Sequence, residues 1–365
     1  MAARNSHLDL VRGIAALAVA FGHARAFFFV DYPEVSAPGA ITKVFYFVTG
    51  LGHQAVVVFF VLSGYFVGGA VANSVASRRW SWRQYGLNRM SRLWVVLVPA
   101  LILTLLWDRV GISSGGGIGY DGRFTNLIHS GTPAIANDSF VTFFKNLFFL
   151  QTIAGPVYGS NGPLWSLANE FWYYLLFPLA YLAIAKTPLF ERLGYVLLLG
   201  IGLVLLPLGL VLSGLIWLMG FFAFKVKKLA LGSLMRNPLF FGLSLAAFLV
   251  SLCLVRRGVL PGGDYWLGLT FASTLPFMSS NEKGGWYKVV SERLSNVSYT
   301  LYLVHFPLLA FGFYVFRLPH LSQPTPENGM TYAVVCGVVL GYATLIWWFF
   351  ERRTDDFKAW VEKFM

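Results

Sequence analysis

The stretch LDLVRGIAALAVAFGHARAFFFV, residues 8–30, decides the fold class. It is long enough to cross a bilayer as a helix, since about 20 mostly apolar residues suffice. Arg12 and His23 lie eleven positions apart in it, which puts both side chains on one helical face, about 16 Å apart along the axis. An ionisable pair inside a membrane span indicates a functional site. The alternative is an arginine that snorkels to the membrane surface and a histidine that bonds to a neighbouring helix.

The composition extends this interpretation to the whole chain. Of its 365 residues, 57% are hydrophobic and 12% are charged, about half the charged share of a soluble domain. Because the apolar residues come in long runs, we expect an all-α polytopic membrane protein. The net charge of +12 indicates basic loops on one side of a membrane, and no nucleic acid as a partner. Cys253 and Cys336 lie in apolar runs, so neither a disulfide framework nor a metal site is expected.

The apolar runs and the charges together predict ten transmembrane helices. They are residues 8–30, 53–72, 93–107, 164–185, 193–212, 215–224, 239–254, 265–278, 298–316 and 332–350. The basic segments at 73–92, 225–236, 283–293 and 352–363 then all lie in the cytoplasm with both termini, as the positive-inside rule requires. For this to hold, the short apolar run 140–153 must not cross the membrane. It is then either re-entrant or lies at the outer surface.

We expect a single membrane domain over residues 1–365 with no appended soluble domain, and the sequence shows no internal repeat. The polar segments 31–49 and 108–138 are predicted to be outer loops. Ser63 and Gly64 lie in the middle of the second predicted span, where small residues allow close helix approach or a local break.

Glu170 is the candidate partner of His23. The topology places both in the outer half of the membrane, where a carboxylate beside an imidazole would fix its tautomer and create a general base for a hydroxyl. The alternative is that Glu170 only lies near a helix N-terminus, where negative charge is favoured.

Arg89 and Arg92 are three residues apart and share a helical face at the cytosolic end of the third span. Two guanidinium groups suit a phosphorylated ligand. The alternative is an ordinary positive-inside anchor.

A polar stripe marks the ninth predicted span. Its members are Ser295, Ser298, Tyr299, Tyr302 and His305. Such a stripe faces a cavity or forms interhelical hydrogen bonds, and Pro307 removes a backbone donor just beyond it. At the outer mouth, Asn161, Trp165, Ser166 and Asn169 could bind a sugar, although an interfacial aromatic belt also explains Trp165.

Five motifs carry a resemblance to a known family. They are LDLVRGIAALAVAFGH at 8–23, VVVFFVLSGY at 56–65, RMSR at 89–92, GPLWSLANEFWYYLLFP at 162–178 and SNVSYTLYLVHFP at 295–307. In these motifs and their order, the chain resembles the acyltransferase-three family of integral membrane acyltransferases, which acylate surface polysaccharides, Nod factors, peptidoglycan and macrolides. One departure is Gly52-His53, where a Gly-Gly pair is common.

The resemblance implies a ten-helix enzyme that uses cytosolic acyl-CoA. We expect acetyl-CoA as the co-substrate, no permanently bound cofactor and no metal. The resemblance also implies that His23 is the catalytic histidine and that Arg12, Arg89 and Arg92 serve the donor. Glu170 is assigned as a second catalytic residue from its predicted depth. We further assign Ser63, Tyr302 and His305 to the acyl-CoA site, and Trp165 and Asn169 to a glycan or glycolipid acceptor. The expected location is the inner (plasma) membrane.

Two alternatives remain open. A secondary transporter of a small anionic solute would also use a buried Arg–His pair, but it predicts two repeat-related halves, which the sequence does not show. Within the acyltransferase hypothesis, His23 either acts as a base or carries the acyl group transiently.

Overall fold

The computed structural model describes residues 5–116, 119–123, 134–185, 187–229, 237–278, 285–315 and 322–364. It is 83% helical, and no residue within those ranges belongs to a β-strand. Among the described residues, seven helical segments are long and apolar enough to cross a membrane. The prediction of an all-α polytopic membrane protein is therefore confirmed.

The described residues form helices along most of the chain. They are α1 (Ser6–Phe28), α2 (Ala40–Thr49), α3 (Gly52–Ser63), α4 (Gly69–Ala76), α5 (Trp82–Gly111), α6 (Phe140–Leu147), α7 (Leu164–Ile184), α8 (Leu189–Leu205), α9 (Leu208–Lys228), α10 (Pro238–Arg256), α11 (Gly263–Thr274), α12 (Trp286–Val315), α13 (Pro326–Phe349) and α14 (Thr354–Glu362). A π-helical turn, Gly64–Gly68, joins α3 to α4.

The seven membrane-length segments correspond to seven of the ten predicted spans. The other three predicted spans coincide largely with α7, α8 and α11, which do not reach the same length or hydropathy. That these three helices also cross the membrane stays a prediction.

One predicted boundary between spans is wrong. The sequence pattern places a break near Ser213, whereas the structure ends α8 at Leu205 and begins α9 at Leu208. Pro207 is the physical reason, because it cannot donate a hydrogen bond to the preceding turn and it holds Leu206 in an extended conformation with ψ of 144°.

Both predicted outer loops are helical in part. The segment Ala40–Thr49 forms α2, in which Ile41, Val44 and Val48 recur at helical spacing and are exposed. At the second loop, α5 continues through Asp108 to Gly111. The same helix begins at Trp82, well before the predicted start of that span, so that Arg89 and Arg92 are helical residues.

The chain divides into two compact units. The first unit comprises Met1–Arg12, Gln54–Trp82 and Asn169–Ser291, and the second comprises Gly13–His53, Arg83–Ala168 and Glu292–Met365. The prediction of one membrane domain stays a prediction.

In the first unit, glycines bring the π-helical turn against α9. A Cβ on Gly64 would overlap the carbonyl group of Trp217, and a Cβ on Gly220 would overlap the carbonyl group of Val61. The small residues therefore allow two helical backbones to touch, and the π turn adds a local irregularity at the same place. Of the two alternatives for Ser63-Gly64, close approach is confirmed, and the helix continues through this point as a π turn without a break.

In the second unit, the segment from Ala134 to Pro163 runs along α5 and returns. Asp138 forms an ion pair of 2.8 Å with Arg109, and the carbonyl of Leu147 accepts from Trp94 Nε1 at 3.0 Å. Arg109 and Trp94 are about 22 Å apart along α5, at about 1.5 Å per residue. The chain then comes back to Asp108 at Ser160. Since α5 is long enough to span a membrane, this path matches the re-entrant alternative for residues 140–153.

Asp108 fastens the returning arm. Its carboxylate accepts from the backbone N–H of Ser160 at 2.8 Å and from the Ser160 hydroxyl at 2.6 Å. Gly159, the residue before Ser160, has φ of +52°, and a Cβ there would overlap the Asp108 carboxylate. The turn therefore requires glycine. Asp108 is 1% exposed, and its two hydrogen bonds offset the cost of burying it.

Candidate active site

His23 and His305 meet in the second unit. The Nδ1 of His23 on α1 lies 2.8 Å from the Nε2 of His305 on α12. The ring planes are 7° from parallel and the ring centroids are 5.1 Å apart. Because the two nitrogens are far closer than the centroids, the rings meet at their nitrogen-bearing edges, as a hydrogen bond requires. The sequence singled out both residues but did not predict that they touch.

His305 uses its second nitrogen as well. Its Nδ1 lies 2.8 Å from the carbonyl oxygen of Leu301, one turn earlier in α12. The side chain is completely buried. Both ring nitrogens of this buried imidazole are therefore hydrogen-bonded, which removes the cost of burying a polar ring without partners.

Aromatic rings enclose the pair. Phe306 stands edge-on to His23, with ring centroids 5.1 Å apart and planes at 83°. Phe27 packs against Phe306 at 5.2 Å and is itself stacked on Phe313 at 5.3 Å. These contacts restrict rotation of the His23 ring and hold its Nδ1 edge toward His305.

A second polar contact lies one turn from His305. The Tyr302 hydroxyl is 2.7 Å from the Ser166 hydroxyl of α7, and both side chains are buried. Tyr302 thus joins α12 to the segment that the sequence assigns to the outer mouth. Tyr299 also bonds across helices, to the carbonyl of Leu93 at 3.1 Å. For these two tyrosines the interhelical alternative holds.

Pro307 leaves one backbone carbonyl of α12 without its helical hydrogen bond. α12 runs on through Pro307, and the carbonyl of Leu303, four residues earlier, therefore lacks its helical donor. Asn161 supplies the replacement: its Nδ2 donates to the Leu303 carbonyl at 2.9 Å and to the Thr104 hydroxyl at 3.1 Å. One buried amide thus ties the re-entrant arm to α12 and α5.

Glu170 lies in the first unit, in its own hydrogen-bonded chain. Trp217 Nε1 donates to the Ser63 hydroxyl at 3.0 Å, Ser63 donates to the Tyr174 hydroxyl at 3.4 Å, and Tyr174 donates to Glu170 Oε1. The structure thus brings together two predicted site residues, Ser63 and Glu170. Orientation of His23 by Glu170 stays a prediction.

The predicted donor-site arginines lie on two helices. Arg12, on α1, is half-buried with its guanidinium 5.1 Å from the centroid of the Phe66 ring, a cation–π contact within the first unit. On α5, Arg89 is half-buried beside Tyr85 at 5.8 Å, and Arg92 is exposed. Of the predicted acceptor residues, Trp165 is half-buried and Asn169 is buried on α7.

Three polar residues of the site region were not predicted from the sequence. Thr104 and Ser160 were not singled out, and Asp108 was assigned to an outer loop. Thr104 and Asp108 are four positions apart in an apolar helix, and that spacing could have marked them as one polar face. Ser160 carried no local signal, because its role depends on the return of the re-entrant arm.

The family model described as "Acyltransferase domain", acyltransferase 3, matches residues 5–350. The chain belongs to the acyltransferase-3 family. No curated protein and no solved structure matches it. Membership confirms the resemblance seen in the five motifs and makes the chain a multi-pass membrane acyltransferase. It decides against the transporter alternative.

The expectation that this acyltransferase-3 member holds no metal stays a prediction. Among the described residues, no group of three or more His, Cys, Asp or Glu side chains could hold a metal ion.

Proposed function

We propose that the protein is an O-acyltransferase that moves an acyl group, acetyl by preference, from cytosolic acyl-CoA to a hydroxyl of an extracytoplasmic or lipid-linked glycan. The observation that carries the proposal is the His23–His305 pair in a chain of this family. An imidazole that is held by a hydrogen bond at one nitrogen is a suitable general base for a hydroxyl at the other.

The donor enters from the basic side. The basic residues at the start of α5 and the end of α9 lie in the cytoplasm in this proposal, together with both termini, as the positive-inside rule favours. Arg89 and Arg92 bind the phosphates of acyl-CoA, because guanidinium groups match phosphate oxygens in a bidentate fork. We assign Arg12 and Ser63 to the arm that carries the thioester, and we keep Tyr302 as a candidate residue of the acyl-CoA site.

The acceptor hydroxyl enters from the opposite side of the membrane, past Trp165 and Asn169. His23 removes its proton as the oxygen attacks the thioester carbonyl carbon, and the carbon–sulfur bond then breaks. The sulfur leaves as a thiolate and takes the proton from His23, so that the products are the ester and free CoA. Glu170 keeps the supporting role in transfer that the sequence assigns to it. No group beyond acyl-CoA and the acceptor is consumed.

The test is the substitution His23→Gln. Glutamine keeps hydrogen-bonding capacity but cannot act as a base near neutral pH. We expect acyl transfer to fall about a hundred- to ten-thousand-fold, while protein level and acetyl-CoA binding persist. The readouts are mass spectrometry of surface glycans from a deletion strain that carries each variant, and titration calorimetry of the purified full chain with acetyl-CoA.

His7→Gln is the matched control, because His7 is exposed and bonds Tyr287 at 2.7 Å, with no place in the proposed chemistry. Glu170→Gln should reduce transfer less than His23→Gln. Wild-type transfer by His23→Gln would refute both the base and the acyl-histidine mechanisms.

A further inference from the structure

We propose that His305 is a positioning residue: it holds the proton of neutral His23 on Nδ1 and so leaves Nε2 as the basic nitrogen. The inference deepens the proposed function, on which it rests for the role of His23. It reassigns His305, which the sequence placed in the acyl-CoA site. The inference rests on two hydrogen bonds, one between the Leu301 carbonyl and His305 and one between His305 and His23.

The carbonyl of Leu301 determines the tautomer of His305. A carbonyl oxygen can only accept a hydrogen bond, so the His305 Nδ1 that lies 2.8 Å from it carries a hydrogen. A neutral imidazole has one N–H and one lone pair. The Nε2 of neutral His305 is therefore an acceptor.

The tautomer of His23 follows from that acceptor. His23 Nδ1 and His305 Nε2 are 2.8 Å apart, and a hydrogen bond needs one donor. With His305 Nε2 accepting, the hydrogen sits on His23 Nδ1, and in the neutral ring the lone pair is on Nε2. A doubly protonated His305 would reverse this assignment, but it would place a cation at a completely buried position, which costs free energy.

The packing keeps the assignment from being lost by rotation of the rings. A flipped His23 ring would turn a carbon toward His305, and the edge-on contact with Phe306 opposes this motion. His305 is anchored at both ends, by Leu301 and by His23. The order is thus Leu301 carbonyl, His305, His23 and then the acceptor hydroxyl. His305 has the orienting role that a carboxylate has in hydrolase triads.

The arrangement has a defined role in the transfer step. His23 Nε2 takes the proton of the acceptor hydroxyl as the new carbon–oxygen bond forms, and it returns that proton to the departing thiolate. While His23 is doubly protonated, its Nδ1–H still donates to His305 Nε2, and a charge-assisted bond of this kind is stronger than a neutral one. His305 neither gains nor loses a proton overall.

The direct test is the tautomer itself. The full-length protein would be labelled with ¹⁵N-histidine, reconstituted in nanodiscs and studied by ¹⁵N NMR. The chemical shifts of the ring nitrogens would be assigned from the signals missing in His23→Gln and His305→Gln. We expect a protonated Nδ1 and an unprotonated Nε2 for His23 in the wild type without substrate. A proton on His23 Nε2 would overturn the inference, whatever the catalytic activity.

A pair of variants gives the kinetic test. In His305→Gln, the amide oxygen can still accept from His23 Nδ1–H, whereas His305→Leu removes the acceptor and frees the proton to move to Nε2. We expect His305→Leu to lower kcat about ten- to a hundred-fold, less than loss of the base itself, with KM for acetyl-CoA unchanged. His305→Gln should recover most of that loss.

The outcomes separate this inference from the proposed function. Equal losses in the leucine and glutamine variants, with the His23 proton still on Nδ1 in both, would refute the positioning role. A raised KM for acetyl-CoA with unchanged kcat would return His305 to donor binding. A wild-type protein with the expected tautomer but without acyl transfer to any surface glycan would refute the proposed function alone.

Discussion

The Asn161 side chain offers the sharpest test of how the site is held in place. In Asn161→Leu, both donated hydrogen bonds disappear while the branched shape and the number of heavy atoms of the side chain are kept. The Leu303 carbonyl is then left without a donor, because Pro307 cannot supply one. Thr104 is affected less, since its hydroxyl still donates to the Ala100 carbonyl at 2.7 Å.

The magnitude follows from these contacts. A buried carbonyl that loses its donor costs about 1–3 kcal/mol, and a hydrogen bond such as that to Thr104 adds about 0.6 kcal/mol, the average in a membrane protein. Part of this is offset, because Asn161 Oδ1 is buried without a hydrogen-bond partner among the described residues and is also removed. We expect the free energy of unfolding to fall by about 1–3 kcal/mol.

A second substitution isolates the cause. Pro307→Ala restores the N–H that an unbroken helix would direct at the Leu303 carbonyl. In the Asn161→Leu background, and not in the wild type, it should therefore raise the free energy of unfolding by about 1 kcal/mol. Pro178→Ala in α7 is the matched control, because the carbonyl that it would serve belongs to Tyr174 of the first unit, whereas Asn161 lies in the second. The assay is unfolding by SDS in mixed micelles, followed by tryptophan fluorescence, for all members of both double-mutant cycles.

The refuting result is additivity. A coupling energy between Asn161→Leu and Pro307→Ala below about 0.5 kcal/mol, the usual limit for independent sites, would show that Asn161 does not replace the missing helical bond. Equal coupling with Pro178→Ala would show a general effect of helix repair instead.

Two further predictions concern the donor site and the packing of the first unit. Arg89→Ala and Arg92→Ala should each weaken acetyl-CoA binding in calorimetry while the fold is kept, and lysine should restore binding only partly, because an ammonium group lacks the bidentate fork; unchanged affinity in both alanine variants would reduce these residues to topology signals. Gly220→Ala should lower the free energy of unfolding by about 1–3 kcal/mol, because the new methyl group overlaps the Val61 carbonyl. Gly194→Ala, in open space on α8, should not; equal effects would contradict the close approach.

Much of the helical architecture could be predicted from the sequence, because a membrane span depends on local properties. Length and apolarity identify a span, and the Arg12–His23 spacing already marked α1 as a site helix. Pro307 correctly predicted a missing backbone donor in α12. The wrong boundary near Ser213 was also a local matter: Pro207 carried the correct signal, and the apolar run on both sides of it hid the break.

The contacts of the site could not be predicted, because they join residues far apart in the chain. His23 and His305 are 282 positions apart, and no local pattern states which ring nitrogen meets which. The sequence left the run 140–153 either re-entrant or at the surface. The bonds from Asp138, Leu147 and Ser160 show that this segment runs along α5 and returns, while its depth in the membrane stays a prediction.

The sequence by itself thus determined the fold class, most of the spans and the residues on which chemistry could depend. Only the tertiary structure decided that His305 is the partner of His23 Nδ1 and that Asn161 completes the helix that Pro307 interrupts. The physical reason is that burial in lipid is a property of each segment alone, whereas a hydrogen bond needs a donor and an acceptor within about 3 Å, and folding alone brings such distant groups together.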